Sequence, residues 1–211
     1  MQIYSSELET INSMPTLNGI YWENRYQKGD TGWDMGSAST PLLDYCSQLS
    51  NKDLKILIPG CGNGHEAVAL AALGFKNIVL LDVAPSPLEQ FKEKNHELVA
   101  SGIVTLLCED FFAHQNTYDL ILEQTFFCAI HPAERDQYAK AMFNLLKPEG
   151  KLAGLLFNFQ LTEDGPPFGG DTEGYVGHFA PYIQIHTLAP CHNSIKPREG
   201  RELFFILQKP A

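Results

Sequence analysis

A glycine-rich turn and a carboxylate at a set distance from it are residues whose types and spacing suggest chemistry. The turn, Pro59-Gly60-Cys61-Gly62-Asn63-Gly64, follows an apolar run and allows the backbone to approach a bound ligand closely. Asp82 lies 22 residues after Gly60 (82 − 60), close to the roughly 20 at which a carboxylate accepts hydrogen bonds from a ribose diol. Taken singly, the turn also fits local backbone geometry, and Asp82 also fits a helix cap. Together they predict a nucleotide-like ligand.

A second carboxylate extends this predicted site. Asp110 and Phe111 follow a third apolar run, where a carboxylate can accept the amino hydrogens of an adenine and an aromatic ring can pack beside it. The alternatives are a turn residue for Asp110 and core positions for Phe111 and Phe112. Asn63 and Glu66 stand where a dinucleotide fold brings a helix N-terminus to a pyrophosphate. The predicted ligand is therefore a nucleoside without phosphates.

Apolar runs of strand length alternate with helix-like segments, a pattern typical of a doubly wound α/β fold with a mostly parallel sheet. The predicted strands cover residues 55–58, 78–82, 103–107, 118–122 and 151–157. The predicted helices cover residues 64–73, 87–100 and 132–146, and the second has a capping box at Ser86 with proline at its first position. Ligands of such folds bind beyond the carboxyl ends of the strands, where these carboxylates lie.

The two ends of the chain lie outside this alternation. After a Gly/Pro-rich loop at residues 163–170, strand candidates at 182–188 and 202–207 predict a closing antiparallel hairpin and a seven-stranded sheet. Residues 1–50 are predicted to form short helices, one capped by Thr40-Pro41, that act as a lid. We therefore expect a single domain over residues 1–211, with a helical lid at 1–50 and a Rossmann-like core at 51–211.

The composition disfavours several classes of protein. The 211 residues include 25 acidic and 15 basic side chains, a net charge of −10 without a basic run, which argues against nucleic acid as a partner. No segment has the roughly 20 apolar residues that span a bilayer, and no export signal begins the chain. Five cysteines without C-x-x-C spacing indicate reduced thiols and a cytoplasmic protein. The histidines lack metal-ligand spacing, so we expect no metal ion, and we favour a monomer.

Motifs spread from Trp22 to Lys209 match a known family. They are Trp22-x-x-x-Tyr26-x-x-x-x-x-x-Trp33-Asp34, Pro59-Gly60-Cys61-Gly62, Asp82, Asp110-Phe111-Phe112, Thr125-Phe126-Phe127-Cys128-Ala129-Ile130 and Gly165-Pro166-Pro167-Phe168. In these segments the chain resembles the thiopurine S-methyltransferase family, and most closely its halide/thiol methyltransferase branch, known from plants and found also in bacteria. The block from Phe126 to Ile130 is much more specific to the family than the glycine turn.

The resemblance implies an enzyme that uses S-adenosylmethionine as its cofactor and releases S-adenosylhomocysteine. The cofactor contacts that it implies are Trp22, Tyr26 and Trp33 from the lid, Gly60 beneath the methionyl part, Asp82 on the ribose, Asp110 and Phe111 around the adenine, and Gln124 lining the site. The resemblance implies a tryptophan and a tyrosine at two of these positions in the plant members. Tyr26 and Gln124 of this chain depart from them.

The aromatic segment after the fourth predicted strand, residues 123–132, suits methyl transfer. A positive sulfonium is attracted to aromatic faces, and displacement at a methyl carbon needs alignment and exclusion of water more than acid or base help. We expect direct in-line attack by a soft nucleophile, a thiolate, thiopurine or halide. Phe127, Phe168 and Arg198 are the expected contacts of this small-molecule acceptor, with packing and a solvated loop as the alternatives. Cys128 is expected to be a small hydrophobe rather than a nucleophile.

No catalytic residue is assigned, because a thiol with a pKa near ~8.5 is already partly ionised at neutral pH. Three other functions stay open. An oxygen or nitrogen methyltransferase on the same fold would need a base for a hydroxyl acceptor, with Glu123 or His131 as candidates. A non-catalytic nucleoside-binding protein would hold the cofactor without methyl transfer, and an NAD enzyme would use a related glycine turn.

Overall fold

The structure, a computed structural model, describes residues 16–162 and 165–211. Seven strands form one sheet here, in chain order β1 (Lys55–Pro59), β2 (Asn77–Asp82), β3 (Val104–Cys108), β4 (Tyr118–Gln124), β5 (Leu146–Phe157), β6 (Gln184–Pro190) and β7 (Glu202–Gln208). The spatial order is β3-β2-β1-β4-β5-β7-β6. Strands β1 to β5 pair in parallel, whereas β7 pairs antiparallel with β5 and β6. The predicted doubly wound sheet with its closing antiparallel hairpin is confirmed.

Seven α-helices accompany the sheet in the described residues. In chain order they are α1 (Gly19–Gln27), α2 (Thr40–Ser47), α3 (His65–Ala72), α4 (Pro85–Lys94), α5 (His96–Ala100), α6 (Arg135–Leu145) and α7 (Thr172–Phe179). None of them is long and apolar enough to cross a membrane.

The helix predicted over residues 87–100 begins earlier and is interrupted. α4 starts at Pro85, whose fixed φ suits the first position of a helix. Ser86 does not cap it, because the amide and hydroxyl of Ser86 both donate hydrogen bonds to Glu23 of α1. Asn95, with φ −129° and ψ 40°, separates α4 from α5. The capping-box interpretation is therefore wrong.

Helix α7 follows the Gly/Pro-rich loop and was not predicted. Asp171 caps it by accepting a hydrogen bond from the amide of Gly174 at 2.8 Å. Gly174 and Gly177 weaken its helical pattern in the sequence, since glycine is a poor helix former. Burial of Tyr175 and Phe179 against the sheet stabilises the helix despite this weak local preference.

Apolar side chains cover both faces of the sheet, as expected for parallel strands. Leu57 and Ile121 face the cluster that α6 and α7 complete. Ile56 and Ile58 point to the opposite face, because side chains alternate along a strand, and pack in the cluster that Leu42 of α2 joins. The core thus consists of one layer on each side of the sheet.

The two helices of the predicted lid behave differently. α1 has no buried residue, whereas α2 packs into the core through Leu42 and Cys46. Ser39, rather than Thr40, is the residue that precedes the first turn of α2. Residues 1–15 of the predicted lid, and residues 163 and 164 of the predicted loop, lie outside the described residues. The division into a lid at 1–50 and a core at 51–211 remains a proposal.

Candidate active site

A cavity with a volume of about 900 Å³ lies between α1 and the carboxyl ends of the parallel strands. Eight predicted contact residues line it: Trp22, Tyr26, Trp33, Gly60, Asp82, Asp110, Phe111 and Arg198. Its wall also includes residues that the sequence did not single out as contacts, namely Arg25, Thr125, Phe126, Phe157, Phe159 and Arg201. Phe126 lies within a family motif, and Arg201 ends the basic segment 196–201, which could bring positive charge to an anionic acceptor. Phe157 and Phe159 gave no signal in the sequence, because the closure of the sheet brings them to the cavity.

The glycine turn after β1 is enclosed on two sides by aromatic side chains. Gly60 has φ +57°, and a Cβ there would lie 2.3 Å from the ring of Phe126. Gly62 has φ +52°, and a Cβ there would lie 3.0 Å from the hydroxyl of Tyr26. Both backbone geometry and space therefore require glycine at these positions. The bare backbone of the turn is what faces the cavity.

Asp82, at the end of β2, holds the turn in place. Its two carboxylate oxygens accept hydrogen bonds from the amides of Gly62 and Ala84, each at 2.9 Å. Burial raises the pKa of Asp82, although these hydrogen bonds oppose the rise. A carboxylate offers about four lone-pair sites. Two sites therefore stay available to hydroxyl donors in the cavity.

Three aromatic residues of the lid form one wall of the cavity. The ring centroid of Trp33 lies 5.4 Å from that of Trp22 and 5.5 Å from that of Tyr26, both in edge-to-face contact. The guanidinium of Arg25 lies 4.5 Å from the Trp33 ring centroid. Burial and the charge of Asp82 raise the pKa of the Tyr26 phenol, so this hydroxyl stays neutral. The wall is thus an aromatic surface that carries one protonated hydroxyl and the guanidinium of Arg25.

Polar contacts fix the lid to the core at three points. Glu23 accepts hydrogen bonds from the amide of Ser86 at 3.0 Å and from the Ser86 hydroxyl. The carboxylate of Asp34 bonds the side chains of Asn63 and His65 beside the glycine turn. The carbonyl of Trp33 accepts a hydrogen bond from Arg198 at 2.8 Å. The described part of the predicted lid is therefore held against the core.

The N-terminus of α3 is occupied by carboxylates rather than open to an anion. Glu66 in its first turn is buried and accepts a hydrogen bond from the amide of Ser39 at 3.0 Å. Asp34 lies at the same helix end through its contact with His65, at 2.8 Å. A pyrophosphate would meet these negative charges where a dinucleotide fold offers free amides. The residues present therefore fit a nucleoside cofactor without phosphates.

The far side of the cavity is the part of its wall that Phe126, Phe157, Phe159, Arg198 and Arg201 form. Glu123, near the end of β4, shapes this far side. Its carboxylate accepts hydrogen bonds from the amides of Phe126 and Phe127, each at 2.8 Å, and from the hydroxyl of Tyr138. Burial raises the pKa of Glu123 to about 7, although these hydrogen bonds oppose the rise. Thr125, between the strand and these amides, has φ +59°, which is strained for a residue with a Cβ.

Arg198 and Arg201 bring positive charge to this far side. Arg198 donates to the carbonyl of Trp33 at 2.8 Å and pairs with Glu202 at 3.3 Å. Arg201 is exposed and lies 4.9 Å from the ring centroid of Phe159. The far side therefore combines aromatic rings with two guanidinium groups.

Three predicted contacts are not brought to the cavity. Phe127 is buried in the core, where its ring contacts those of Tyr138 and Phe179 of α6 and α7. Phe168 is also fully buried. The side-chain amide of Gln124 is buried without a hydrogen-bond partner among the described residues, and it does not line the cavity. Phe127 is therefore a packing residue of the core, which is the alternative that the sequence left open.

The remaining reactive groups of the wall are constrained. Burial raises the pKa of the Cys128 thiol to about 12, which leaves it protonated and fits its expected role as a small hydrophobe. Nδ1 of His131 accepts a hydrogen bond from the amide of Ala133 at 3.2 Å, so the neutral ring carries its proton on Nε2. Within residues 16–162 and 165–211, no three His, Cys, Asp or Glu side chains cluster as metal ligands.

Comparison with solved structures identifies the fold. A 1,6-didemethyltoxoflavin N1-methyltransferase from Burkholderia thailandensis, solved with 1,6-didemethyltoxoflavin and S-adenosylhomocysteine bound, matches 91% of this chain and 87% of that chain with a TM-score of 0.73. The sequences are 14% identical, so this likeness shows the fold alone. The fold is one that S-adenosylmethionine-dependent methyltransferases share.

Sequence comparison is more specific. The family model described as thiopurine S-methyltransferase matches residues 18–202. Thiocyanate methyltransferase 1 of Brassica oleracea is 35% identical over 185 residues, which cover 86% of this chain and 81% of that protein. A thiopurine S-methyltransferase of Vibrio cholerae is 26% identical over 162 residues, covering 70% of this chain and 74% of that protein. The chain belongs to the thiopurine S-methyltransferase family, as its motifs predicted.

The Asp82→Ala substitution tests the ribose contact. S-Adenosylhomocysteine should raise the melting temperature of the wild-type protein, because a ligand that binds only the folded state stabilises it by about 2.7 kcal/mol at 100 times its Kd. In Asp82→Ala we expect most of this rise to disappear in a thermal shift assay. The exposed Asp53, which does not line the cavity, provides the control Asp53→Ala and should keep the full rise. An undiminished rise in Asp82→Ala would contradict the ribose contact.

The pKa of Glu123 predicts a dependence of stability on pH. Its folded value of about 7 lies above its ordinary value of 4.5, so the folded state binds the proton more tightly and loses stability as the pH rises between them. From pH 5 to pH 8 we expect the free energy of unfolding to fall by about 2–3 kcal/mol more in wild type than in Glu123→Gln. Urea denaturation at both pH values measures this difference. Parallel pH profiles of the two proteins would show that Glu123 does not titrate in this range.

Proposed function

We propose that this methyltransferase transfers its methyl group to a small soft nucleophile, a thiol, a thiopurine or a halide. The single observation that carries the proposal is the character of the cavity's far side. It combines aromatic rings and guanidinium groups and offers no positioned general base among the described residues that line it. A thiolate or halide needs no proton removed before it attacks, whereas a hydroxyl acceptor does.

Both candidate bases are unsuited to that role. Glu123 is buried, does not line the cavity, and uses its two oxygens for Phe126, Phe127 and Tyr138. His131 does line the cavity, but its acceptor nitrogen is already bonded to the amide of Ala133. A neutral His131 would therefore offer an N–H donor to the acceptor, and not a lone pair. This geometry disfavours an oxygen methyltransferase.

Carboxylates elsewhere in the wall do not replace them. Those among the described lining residues are Asp82, Asp110 and Glu134. Asp82 and Asp110 lie at the ends of the strands that are proposed to hold the cofactor. Glu134 precedes α6 and is exposed to solvent.

The roles of the residues follow from this arrangement. When bound, S-adenosylmethionine supplies an electrophilic methyl group on a positively charged sulfonium. The bare backbone at Gly60 would hold the methionyl part and Asp82 the ribose, while Asp110 and Phe111 flank the adenine. Trp22, Tyr26 and Trp33 would exclude water from above, which strengthens electrostatic interactions inside the cavity. Phe126 and Arg198 line the far side and would orient the acceptor.

The names of the relatives support the same acceptor class. The protein from Brassica oleracea is a thiocyanate methyltransferase, and the one from Vibrio cholerae is a thiopurine S-methyltransferase. Both acceptors are soft sulfur nucleophiles. We carry this class over to the present chain because its far side lacks a positioned base.

We further propose a cytoplasmic enzyme that acts as a monomer on small molecules and not on nucleic acid. All five cysteines are free thiols in the structure, which suits a reducing compartment. The net charge of −10 would repel a phosphate backbone.

A screen of acceptors at several pH values tests the proposal. Thiocyanate, iodide, hydrosulfide and thiopurines should yield S-adenosylhomocysteine, whereas catechols and amines should not. Between pH 7.5 and pH 8.5, kcat/KM should stay flat for thiocyanate and rise about fivefold for a thiol with a pKa of about 8.5, because only the thiol has a proton to lose. Turnover of hydroxyl or amine acceptors alone would refute the acceptor class. Cofactor binding without turnover of any acceptor would indicate a binding protein.

A further inference from the structure

His114 joins the segment after β3 to the first residue of β4. Its side chain is 4% exposed, and its Nδ1 bonds the carboxylate of Glu109. Its Nε2 lies 2.7 Å from the hydroxyl of Tyr118, which is fully buried. We call this chain of contacts, from Glu109 through His114 to Tyr118, the histidine clasp. None of its three residues lines the cavity, so the clasp acts only through the residues that it holds.

The partners of His114 determine the direction of each hydrogen bond in the clasp. A carboxylate only accepts, so in the neutral ring Nδ1 donates to Glu109 and Nε2 accepts from Tyr118. Burial and the charge of Glu109 raise the pKa of Tyr118 to about 12, so the phenol keeps the proton that it donates. Both ring nitrogens are therefore satisfied within the protein, and a buried polar group that is fully satisfied is held in one position.

The clasp encloses the short turn that carries Asp110. A single 3₁₀ turn, Phe111–Ala113, lies between Glu109 and His114. At its start the amide of Glu109 donates to the carbonyl of Asp82 at 3.1 Å, which ties the turn to the end of β2. At its end the ring of His114 ties the turn to β4. The turn is thus held on both sides.

The orientation of the Asp110 carboxylate depends on this turn. Asp110 is exposed and lines the cavity. Its Oδ1 accepts a hydrogen bond from the amide of Phe112 at 2.9 Å, which leaves Oδ2 to accept from a donor in the cavity. The contact with Phe112 ties the carboxylate to the backbone of the turn, so a shift of the turn redirects Oδ2.

We infer that His114 is a positioning residue that makes the cofactor site selective for adenine. This inference rests on the proposed function, in which Asp110 contacts the adenine, and deepens it. By joining Glu109 to Tyr118, the imidazole holds Asp110 where Oδ2 meets the exocyclic amino group of the base. A base with an oxo group in that place presents a lone pair to the carboxylate instead of an N–H donor, so the hydrogen bond is lost.

S-Inosylhomocysteine, in which an oxo group replaces the adenine amino group of S-adenosylhomocysteine, measures this selectivity without turnover. Titration calorimetry gives the Kd of both ligands. We expect wild type to bind S-adenosylhomocysteine about 100-fold more tightly, because a hydrogen bond to a charged group is lost in the inosine ligand. In His114→Phe, which keeps an aromatic ring beside Tyr118 but neither hydrogen bond, we expect this ratio to fall to about tenfold. Binding of S-adenosylhomocysteine should weaken, and binding of S-inosylhomocysteine should not.

Further variants distinguish the clasp from packing. His114→Gln carries a donor and an acceptor at about the separation of the ring nitrogens, and its ratio should stay within about threefold of wild type. Tyr118→Phe removes only the buried hydroxyl and should lower the ratio about threefold, which keeps the test available if His114→Phe does not fold. His96→Gln removes an exposed histidine of α5 and should leave both Kd values unchanged.

Two outcomes would overturn the inference. An unchanged ratio in His114→Phe and Tyr118→Phe would do so, even if both ligands bound more weakly, because equal weakening is the sign of a purely structural role. A ratio near one in wild type would show that Asp110 does not read the base, and His114 would then have nothing to position. Turnover of hydroxyl or amine acceptors alone would refute the proposed acceptor class and leave these ratios unaffected, so the two failures are distinguishable.

Discussion

The carboxylate of Glu123 determines the direction in which the chain leaves the fourth strand, and both ends of the cavity depend on it. Hydrogen bonds from the Phe126 and Phe127 amides stabilise a turn that begins with Thr125 at φ +59°. This turn sets the Phe126 ring against the glycine turn, where a Cβ on Gly60 would lie 2.3 Å from it. The glycine turn and the turn after β4 therefore pack against each other, and a change in either one displaces the other.

Charged side chains of both signs line the cavity. Asp82 and Asp110 lie where the cofactor is proposed to bind, Arg25 of α1 also lines the cavity, and Asp34 lies beside the glycine turn. Arg198 lines the far side and pairs with Glu202. A sulfonium is positive and a thiolate or halide is negative, so the wall offers each proposed reactant a group of opposite charge. Methyl transfer between such reactants neutralises both charges, which a cavity closed to water favours over separated ions.

Periodicity in the sequence predicted the parallel strands, since buried parallel strands are continuous apolar runs. The spacing of 22 residues between Gly60 and Asp82 predicted that both line one site. The sequence did not indicate whether an individual aromatic ring points into the cavity or into the core. Phe127 and Phe168 are buried in the core, although neighbouring residues of the same segments line the cavity. Arg135, the buried first residue of α6, had no sequence signal, because in the sequence it looks like a surface residue of an amphipathic helix. These features arise from tertiary contacts.

We propose that cofactor and acceptor share one cavity, with the acceptor between the cofactor sulfur and the far side. A crystal structure of the complex with S-adenosylhomocysteine and iodide tests this most directly, because the anomalous signal of iodide locates the anion. We expect an iodide peak beside Phe126, within reach of Arg198, with the ribose hydroxyls on Asp82. Iodide bound only outside the cavity, or S-adenosylhomocysteine bound away from Asp82, would contradict it.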